Sequence, residues 1–570
     1  MTDQAEKTAS KDNITINNSL QEEDVWVAPS KANTYKIFGL NFVKILAIGI
    51  FLHNIFSTLE SSMFGTVSTN LHSMLQVLSL NDLPQVSMMI SGVLGPAFVR
   101  FAEVYGQMPL AFSGVVLTIL SYVLFIATGN PGPIVSVNNT PSIVGLGPQS
   151  YCFISAQMIH YFAMAFINTM QVILVTVYIP IRLRATFTSV IFLPTLVVQF
   201  IGPMLSTFFN NEWRLMFAVV IPPVFLGFLI MYYPLVKVES KFRKKKIKTS
   251  FIQFCNELDI VGAILLIVGV CCALTPPMIN YADSFTETKN LVPLIIGLLL
   301  LILFIPYEYY IAKYPVFNRR LVTNPTVTCC LIVNALGYGA SNVVFGNFQA
   351  LFQITKRLTP SDAAMLQFGY IGGYAVAALI CGLLIQYTRK LKIWIWIGYA
   401  MYLLAFCLFI NTRGSDTSII EVILVQILAG IGGGISLPAV NISIQAAVKK
   451  ADVPMAATLL TFTTYLFGPF FGLLASSIWN RYLPVIVASK PGGDSLDLVG
   501  IVDTVVDSFK TYTEVQQQIV IDSYLETQRL TTYIGIAMIA IGIIPLYFIK
   551  VKNLPAEEQS QESITQENTA

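Results

Sequence analysis

The sequence predicts an all-α membrane protein that crosses the bilayer fourteen times. Three observations predict it. Of 570 residues, 55% are hydrophobic and only 11% charged, against roughly 25% charged in an ordinary soluble protein. Apolar runs near the ~20 residues that a helix needs to cross ~30 Å of hydrocarbon recur from residue 45 to residue 549. The basic residues divide unevenly between the two sides that those runs define. The same composition excludes a soluble enzyme, a fibrous protein and a disordered chain. The net charge of +3, from 34 basic and 31 acidic residues, is too balanced for a nucleic-acid partner.

Taken in order, residues 1–42 are polar and read as a disordered cytoplasmic tail without a signal peptide. Six spans follow at 43–66, 84–105, 109–128, 151–178, 185–208 and 214–235. Two more are read at 258–276 and 291–311, and six at 326–352, 362–386, 393–411, 419–446, 455–478 and 531–549. An even count returns both termini to one side. With that side cytoplasmic, 25 of the 34 Lys and Arg lie in the cytoplasm and 9 lie opposite. The KFRKKKIK run within 237–248, Arg182 and Arg184 after span 4, and Arg389, Lys390 and Lys392 after span 10 carry this bias. The basic run serves as a topology anchor, with anionic-lipid recognition as the sharper alternative.

The spans group as six, two and six. This sets an N-terminal bundle at 43–235, a basic loop at 236–257, an inserted pair at 258–311, a second bundle at 312–549 and a cytoplasmic tail at 550–570. Two six-span bundles flanking a midplane site is the major facilitator arrangement. No repeated filter segment suggests a channel, and no GxxxxGK[ST] suggests an ATP-driven pump. Two external segments stand out. Residues 129–149 contain GNPGP and a glycosylation sequon at Asn138. Residues 479–530 carry seven acidic residues against four basic ones, with Trp479, Tyr482, Tyr512 and Tyr524 among them. They read as an external lid or a folded surface turn.

Ionisable groups inside spans are costly and therefore functional candidates. Span 1 holds His53 and Glu60, seven residues apart and so on nearly one helix face. Either could bind and release a proton during transport. The competing reading places Glu60 in water at the external end of the span. Span 4 carries Gln157, Tyr161, Asn168 and Gln171 along one stripe with His160 beside it, and span 9 carries Asn334, Tyr338, Asn342 and Gln349. Such polar helices either line a cavity or hold helices together. Glycines at 369, 372, 373 and at 430, 432, 433, 434 suit close helix packing. The eight cysteines form no CxxC pair and the three histidines no HxxxH or HxH, so no metal site and no cofactor are expected.

Several stretches then carry a resemblance. LDIVGAILLIVGVCCALTPP (258–277), PYEYYIAKYPVFNRRLVTNPTV (306–327), GYIGGYAVAALICGLLIQYTRKLKIWIWIG (369–398), QILAGIGGGISLPAVNISIQAAVKKADVPMAATLL (426–460), SSIWNRYLP (476–484) and SYLETQRL (523–530) resemble the fungal siderophore–iron transporter family. That family belongs to the fourteen-span, drug:proton antiporter-like branch of the major facilitator superfamily. The resemblance runs over about 43–550, the second half being the more specific. It implies a proton-coupled secondary transporter, not an enzyme, that imports a ferric siderophore held by the siderophore's own ligands. The cavity residues would be His160, Tyr161, Asn168, Gln171, Asn334, Tyr338, Asn342 and Gln349, with Glu60 and His53 for the proton. The family's cytoplasmic gate motif maps to Arg100, Glu103, Gly106, Arg182 and Arg184, with Gln107 where the family has Arg and no Asp after span 4. Glutathione, an organic anion or a drug exchanged for protons is the alternative cargo, and a non-transporting nutrient sensor is the rival from another class. The expected partners are substrate, protons and the bilayer, with no nucleic acid, in a monomer at the plasma membrane or an endosomal or vacuolar membrane.

Overall fold

The computed structural model describes residues 44–64, 83–128, 148–209, 213–242, 258–274, 287–312, 315, 319–412, 414, 416–493, 509, 512–551 and 554. The tail 1–42, the sequon at Asn138, Cys255, and most of the basic loop and of the C-terminal tail lie outside them.

Among the described residues fourteen helices cross the molecule. In the first bundle they are α1 Lys44–Phe64, α2 Leu83–Tyr105, α3 Gln107–Ala127, α4 Pro148–Tyr178, α5 and α6 Trp213–Phe242. Helix α5 is broken into Ile181–Phe192 and Pro194–Phe208, because Pro194 brings no N–H to the helical ladder. The inserted pair is α7 Ile260–Leu274 and α8 Thr288–Pro306, which ends in a wider π turn, Tyr307–Ile311. The second bundle is α9 Pro325–Phe345, continued by Phe348–Thr355, then α10 Phe368–Thr388, α11 Lys392–Thr412, α12 Ile419–Ala446, α13 Val453–Ser489 and α14 Glu514–Phe548. Among the described residues thirteen of these are long and apolar enough to cross a membrane, and α7 is shorter. The chain is a multi-pass, all-α membrane protein.

The contacts repeat by halves. Helices α2 and α3 both pack on α4, as α10 and α11 both pack on α12; α3 meets α6 as α11 meets α14. Gly49 and Gly227 bring α1 against α6, as α9 packs on α14. Across the seam, α2 pairs with α13 and α5 with α10, which are the same pairing under exchange of the halves. The inserted pair leans on the outside of this seam, where Leu266, Val270 and Phe304 join Val86, Met89 and Val93 of α2 and Phe462 and Leu466 of α13.

Within lipid, apolar contact alone does not drive helices together, so close backbone approach and interhelical hydrogen bonds carry more of the association. The glycine run of α12 shows this. A Cβ on Gly430 would lie 2.2 Å from Tyr370 O, one on Gly434 2.3 Å from Tyr374 O, and one on Gly432 2.6 Å from Tyr402 N. Backbone of α10 and α11 occupies the space that side chains would need. The packing role expected of these glycines is what the structure shows. Gly106 has a different task. Its φ of 101° lets the chain reverse between α2 and α3 in one residue, a conformation that L side chains disfavour.

Three boundary differences move residues read as loop into helix. Helix α5 begins at Ile181, so Arg182 and Arg184 lie in its first turns and not in a loop. Helix α6 runs to Phe242, into the segment read as the basic loop. The segment 479–530 is mostly helix, because α13 reaches Ser489 and α14 starts at Glu514. The 37 residues of α13 span about 55 Å at ~1.5 Å each, well beyond ~30 Å of hydrocarbon. The projecting turns are held by an apolar cluster of their own, with Trp479, Leu483 and Val487 against Phe352, Val520 and Tyr524. Trp479 and Tyr524, read as loop residues, pack within it with tilted rings 5.2 Å apart between centroids. Tyr482 sits on α13 and points outward, and Tyr512 lies just before the capping box that opens α14 at Thr513.

Candidate functional site

The two bundles present unlike polar surfaces. In the first, Glu60 of α1 is 2% exposed and His160 of α4 is 8% exposed. Their side chains meet, with His160 Nε2 3.6 Å from Glu60 Oε2. Ser121 Oγ of α3 lies 3.4 Å from His160 Nδ1, and the Tyr122 ring packs on the imidazole at 5.6 Å. The Tyr122 hydroxyl points to Glu60. Glu60 is thus enclosed by α3 and α4 and not left in water at the helix end. A carboxylate buried this way needs a proton or a cationic partner to persist in a low-dielectric setting.

His53 stands apart. It is 2% exposed, touches the Val224 backbone of α6, and borders a small hollow lined by Val115, Thr118, Tyr122, Ile167 and Phe228. The remaining span-4 residues spread along the same bundle. Asn54 Nδ2 donates to Gln171 Oε1 at 3.4 Å. The carbonyl of Tyr161 accepts from Ser91 Oγ at 2.7 Å. Asn168 leaves its own bundle, and its Nδ2 donates to Tyr465 OH of α13 at 3.0 Å.

In the second bundle Asn334 is buried and fully engaged. Its amide nitrogen lies 2.9 Å from Thr463 Oγ1, 2.8 Å from Thr464 Oγ1 and 3.2 Å from Leu460 O, all on α13. Asn342 Nδ2 donates to Tyr338 O at 2.9 Å. Gln349 is half-buried on the short helix Phe348–Thr355, away from both. Sequence reasoning missed Tyr122, Tyr370, Tyr374, Tyr402 and Tyr465. Tyr370 and Tyr402 share a hydroxyl–hydroxyl hydrogen bond of 3.0 Å, and Ser341 lies beside both. The tyrosines count as apolar in a span search. The available signal was Tyr370 and Tyr374 at a four-residue spacing, matching Gly430 and Gly434 on the partner helix.

The end that carries the basic residues is where the halves are tied. Arg184 is buried; its Nη1 donates to Gln445 Oε1 of α12 at 2.7 Å and its Nε to Ile179 O at 2.8 Å. Gln445 Nε2 in turn donates to Asn441 Oδ1 at 2.6 Å. Ser189 Oγ donates to Ala378 O of α10 at 2.9 Å. Arg100 and Glu103 form a local ion pair of 2.9 Å on α2, and Arg320 lies 3.8 Å from Asp452. Among the described residues no group of three His, Cys, Asp or Glu side chains is placed to hold a metal ion.

No family model matches the chain. The structure of a proton:xylose symporter of the major facilitator superfamily (MFS) matches with a TM-score of 0.51 at 13% identity, over 83% of this chain and 95% of that one. The chain has the major facilitator fold. Its sequence relatives carry the resemblance further. Siderophore iron transporter 1 of Schizosaccharomyces pombe is 22% identical over 482 residues, or 82% of this chain and 76% of the relative. An MFS-type efflux pump of a Fusarium species is 23% identical over 557 residues, or 94% and 91%. The likeness to fungal siderophore transporters read from the sequence motifs is borne out by these matches. In this fold the candidate site is the seam between the bundles, reached by Tyr465 and Asn168, together with the buried Glu60 and His160 of the first bundle.

Proposed function

We propose that this protein is a secondary transporter that imports ferric siderophore complexes with protons, by alternating access of its two bundles. The substrate half of this reading is carried by the similarity, over 82% of the chain, to a protein named as a siderophore iron transporter. The proton half is supported by the Glu60–His160 pair. A proton taken by either group lies beside the other, 3.6 Å away, and shielded from water by α3 and α4. Substrate enters the seam while the basic end, which faces the cytoplasm, is closed by Arg184 on Gln445. Release requires that bond to part. Arg184 has neutral partners there, so opening does not separate two opposite charges and costs less than breaking a buried ion pair. The protein carries no resident metal in this reading; iron travels inside the siderophore.

Export of an organic anion, glutathione or a drug in exchange for protons is the second reading, favoured by the match to an MFS-type efflux pump over 94% of the chain. Cells lacking other siderophore transporters separate the two. Import predicts uptake of an iron-labelled ferric siderophore that rises as external pH falls from about 8 to about 5. Glu60→Gln, which keeps shape and removes the ionisable group, should lower that uptake at least ~10-fold and flatten its pH dependence. Absence of uptake together with pH-dependent glutathione efflux would replace the first reading by the second.

A further inference from the structure

The second bundle holds a polar surface that the proton pair does not use. Tyr374 of α10 and Tyr465 of α13 each lie within electrostatic range of Tyr338 of α9. Small residues make room for the rings. A Cβ on Gly468 would fall 2.7 Å from the Tyr338 ring, and one on Gly433 would fall 3.4 Å from the Tyr374 ring. The group borders the seam at Tyr465, whose Cβ lies against Gly92 of α2 and whose hydroxyl oxygen accepts from Asn168 of α4. That leaves the Tyr465 O–H itself free to donate. Among the described residues the hydroxyls of Tyr338 and Tyr374 have no hydrogen-bond partner, and both residues are half-buried. By contrast Tyr370, one turn from Tyr374, spends its hydroxyl on Tyr402. Helices α4, α9, α10 and α12 contain no Lys or Arg.

Three available phenolic donors on one wall, with Arg481 of α13 sixteen residues, or about 24 Å, from Tyr465, suit a ligand that offers acceptor oxygens and carries no net negative charge. An anion would be desolvated there without compensation. The ring faces supply apolar contact to the rest of a bulky ligand. We propose that Tyr338, Tyr374 and Tyr465 form a substrate subsite that holds an uncharged, oxygen-rich ligand through its carbonyl-type oxygens, with Tyr465 linking occupancy to the seam through Asn168. This subsite rests on the transporter reading given above. It assigns ligand holding to the second bundle and proton handling to the first.

The test uses the purified full-length protein and a ferric trihydroxamate complex, with binding read by equilibrium titration and folding by thermal melting. A neutral hydrogen bond is worth a factor of about 3 to 10 in affinity. The double variant Tyr338→Phe/Tyr374→Phe should therefore weaken binding about 10- to 100-fold at an unchanged melting temperature. In cells it should raise the KM of uptake and keep the pH profile. Tyr374→Phe alone, expected to lose about 3- to 10-fold, keeps the test open should the double variant fold poorly. Wild-type affinity in a folded double variant overturns the subsite and leaves the transporter reading standing. Failure of the unsubstituted protein to bind the complex overturns the siderophore reading and the subsite together.

Discussion

The two bundles share one contact scheme, yet they are held together differently. In the second, α12 meets α10 and α11 backbone to backbone, through Gly430, Gly432 and Gly434. In the first, the corresponding helix α4 meets α3 through side chains; a Cβ on Gly114 would approach Ile167 Cγ1 and Phe166 Cβ at 3.0 Å. Backbone contact fixes α10 rigidly and with it the tyrosines that α10 carries. Side-chain contact leaves room on α4 for Gln157, His160, Asn168 and Gln171. One architecture thus yields a close-packed phenolic wall and a titratable one.

That comparison is most directly broken by adding bulk at one glycine in each bundle. Gly430→Val places a branched side chain where Tyr370 O already lies, and a backbone carbonyl cannot rotate away. We expect a loss of about 3 kcal/mol or more, seen as a collapse of the folded, monodisperse fraction in detergent. Gly114→Ala meets Ile167 Cγ1 and Phe166 Cβ at 3.0 Å and the Ala163 carbonyl only at 3.6 Å, so a shift of a few tenths of an ångström accommodates it, at a cost of about 1 kcal/mol or less. Equal losses at the two sites would remove the distinction between the walls.

A smaller effect separates glue from cavity. Asn334 and Asn168 look alike in the sequence, each one amide of a polar stripe in an otherwise apolar span. In the structure the Asn334 amide is spent on α13 within its own bundle, while Asn168 reaches across the seam. Asn334→Ala should cost about 1–3 kcal/mol of stability through lost hydrogen bonds and a small void, with the KM for substrate unchanged. A rise in KM without a fall in melting temperature would put Asn334 on the transport path instead.

The spans were legible because the bilayer sets their length and composition. The segment read as 419–446 is helix α12, Ile419–Ala446, to the residue, and 151–178 differs from α4 only at its start. The helix ends beyond the bilayer were not legible, since neither hydropathy nor charge marks them. The turns of α13 around Trp479 and Leu483 persist in a charged segment because they have their own apolar partners. One local signal was present and unread: Thr513 and Gln516 form a capping box at the start of α14. Glu60 was legible as a candidate from its cost in lipid. Its partner was not, because His160 lies 100 residues away and no spacing rule joins α1 to α4.

The smallest expected effect concerns the two histidines of the first bundle. His53 shares a helix with Glu60, and the sequence pairs them; the structure pairs Glu60 with His160 instead. His53 Nδ1 is buried with no hydrogen-bond partner among the described residues, beside a hollow whose lining is mostly apolar. Replacing an unsatisfied polar group by an apolar one of similar shape is close to neutral, or stabilising. His53→Phe should therefore change stability by less than about 1 kcal/mol and leave the pH profile of uptake where it was. His160→Phe, which removes the group that faces Glu60, should alter that profile. If uptake in His53→Phe loses its pH dependence while His160→Phe retains it, proton handling belongs to α1 alone, and the assignment of α4 to the titratable wall fails.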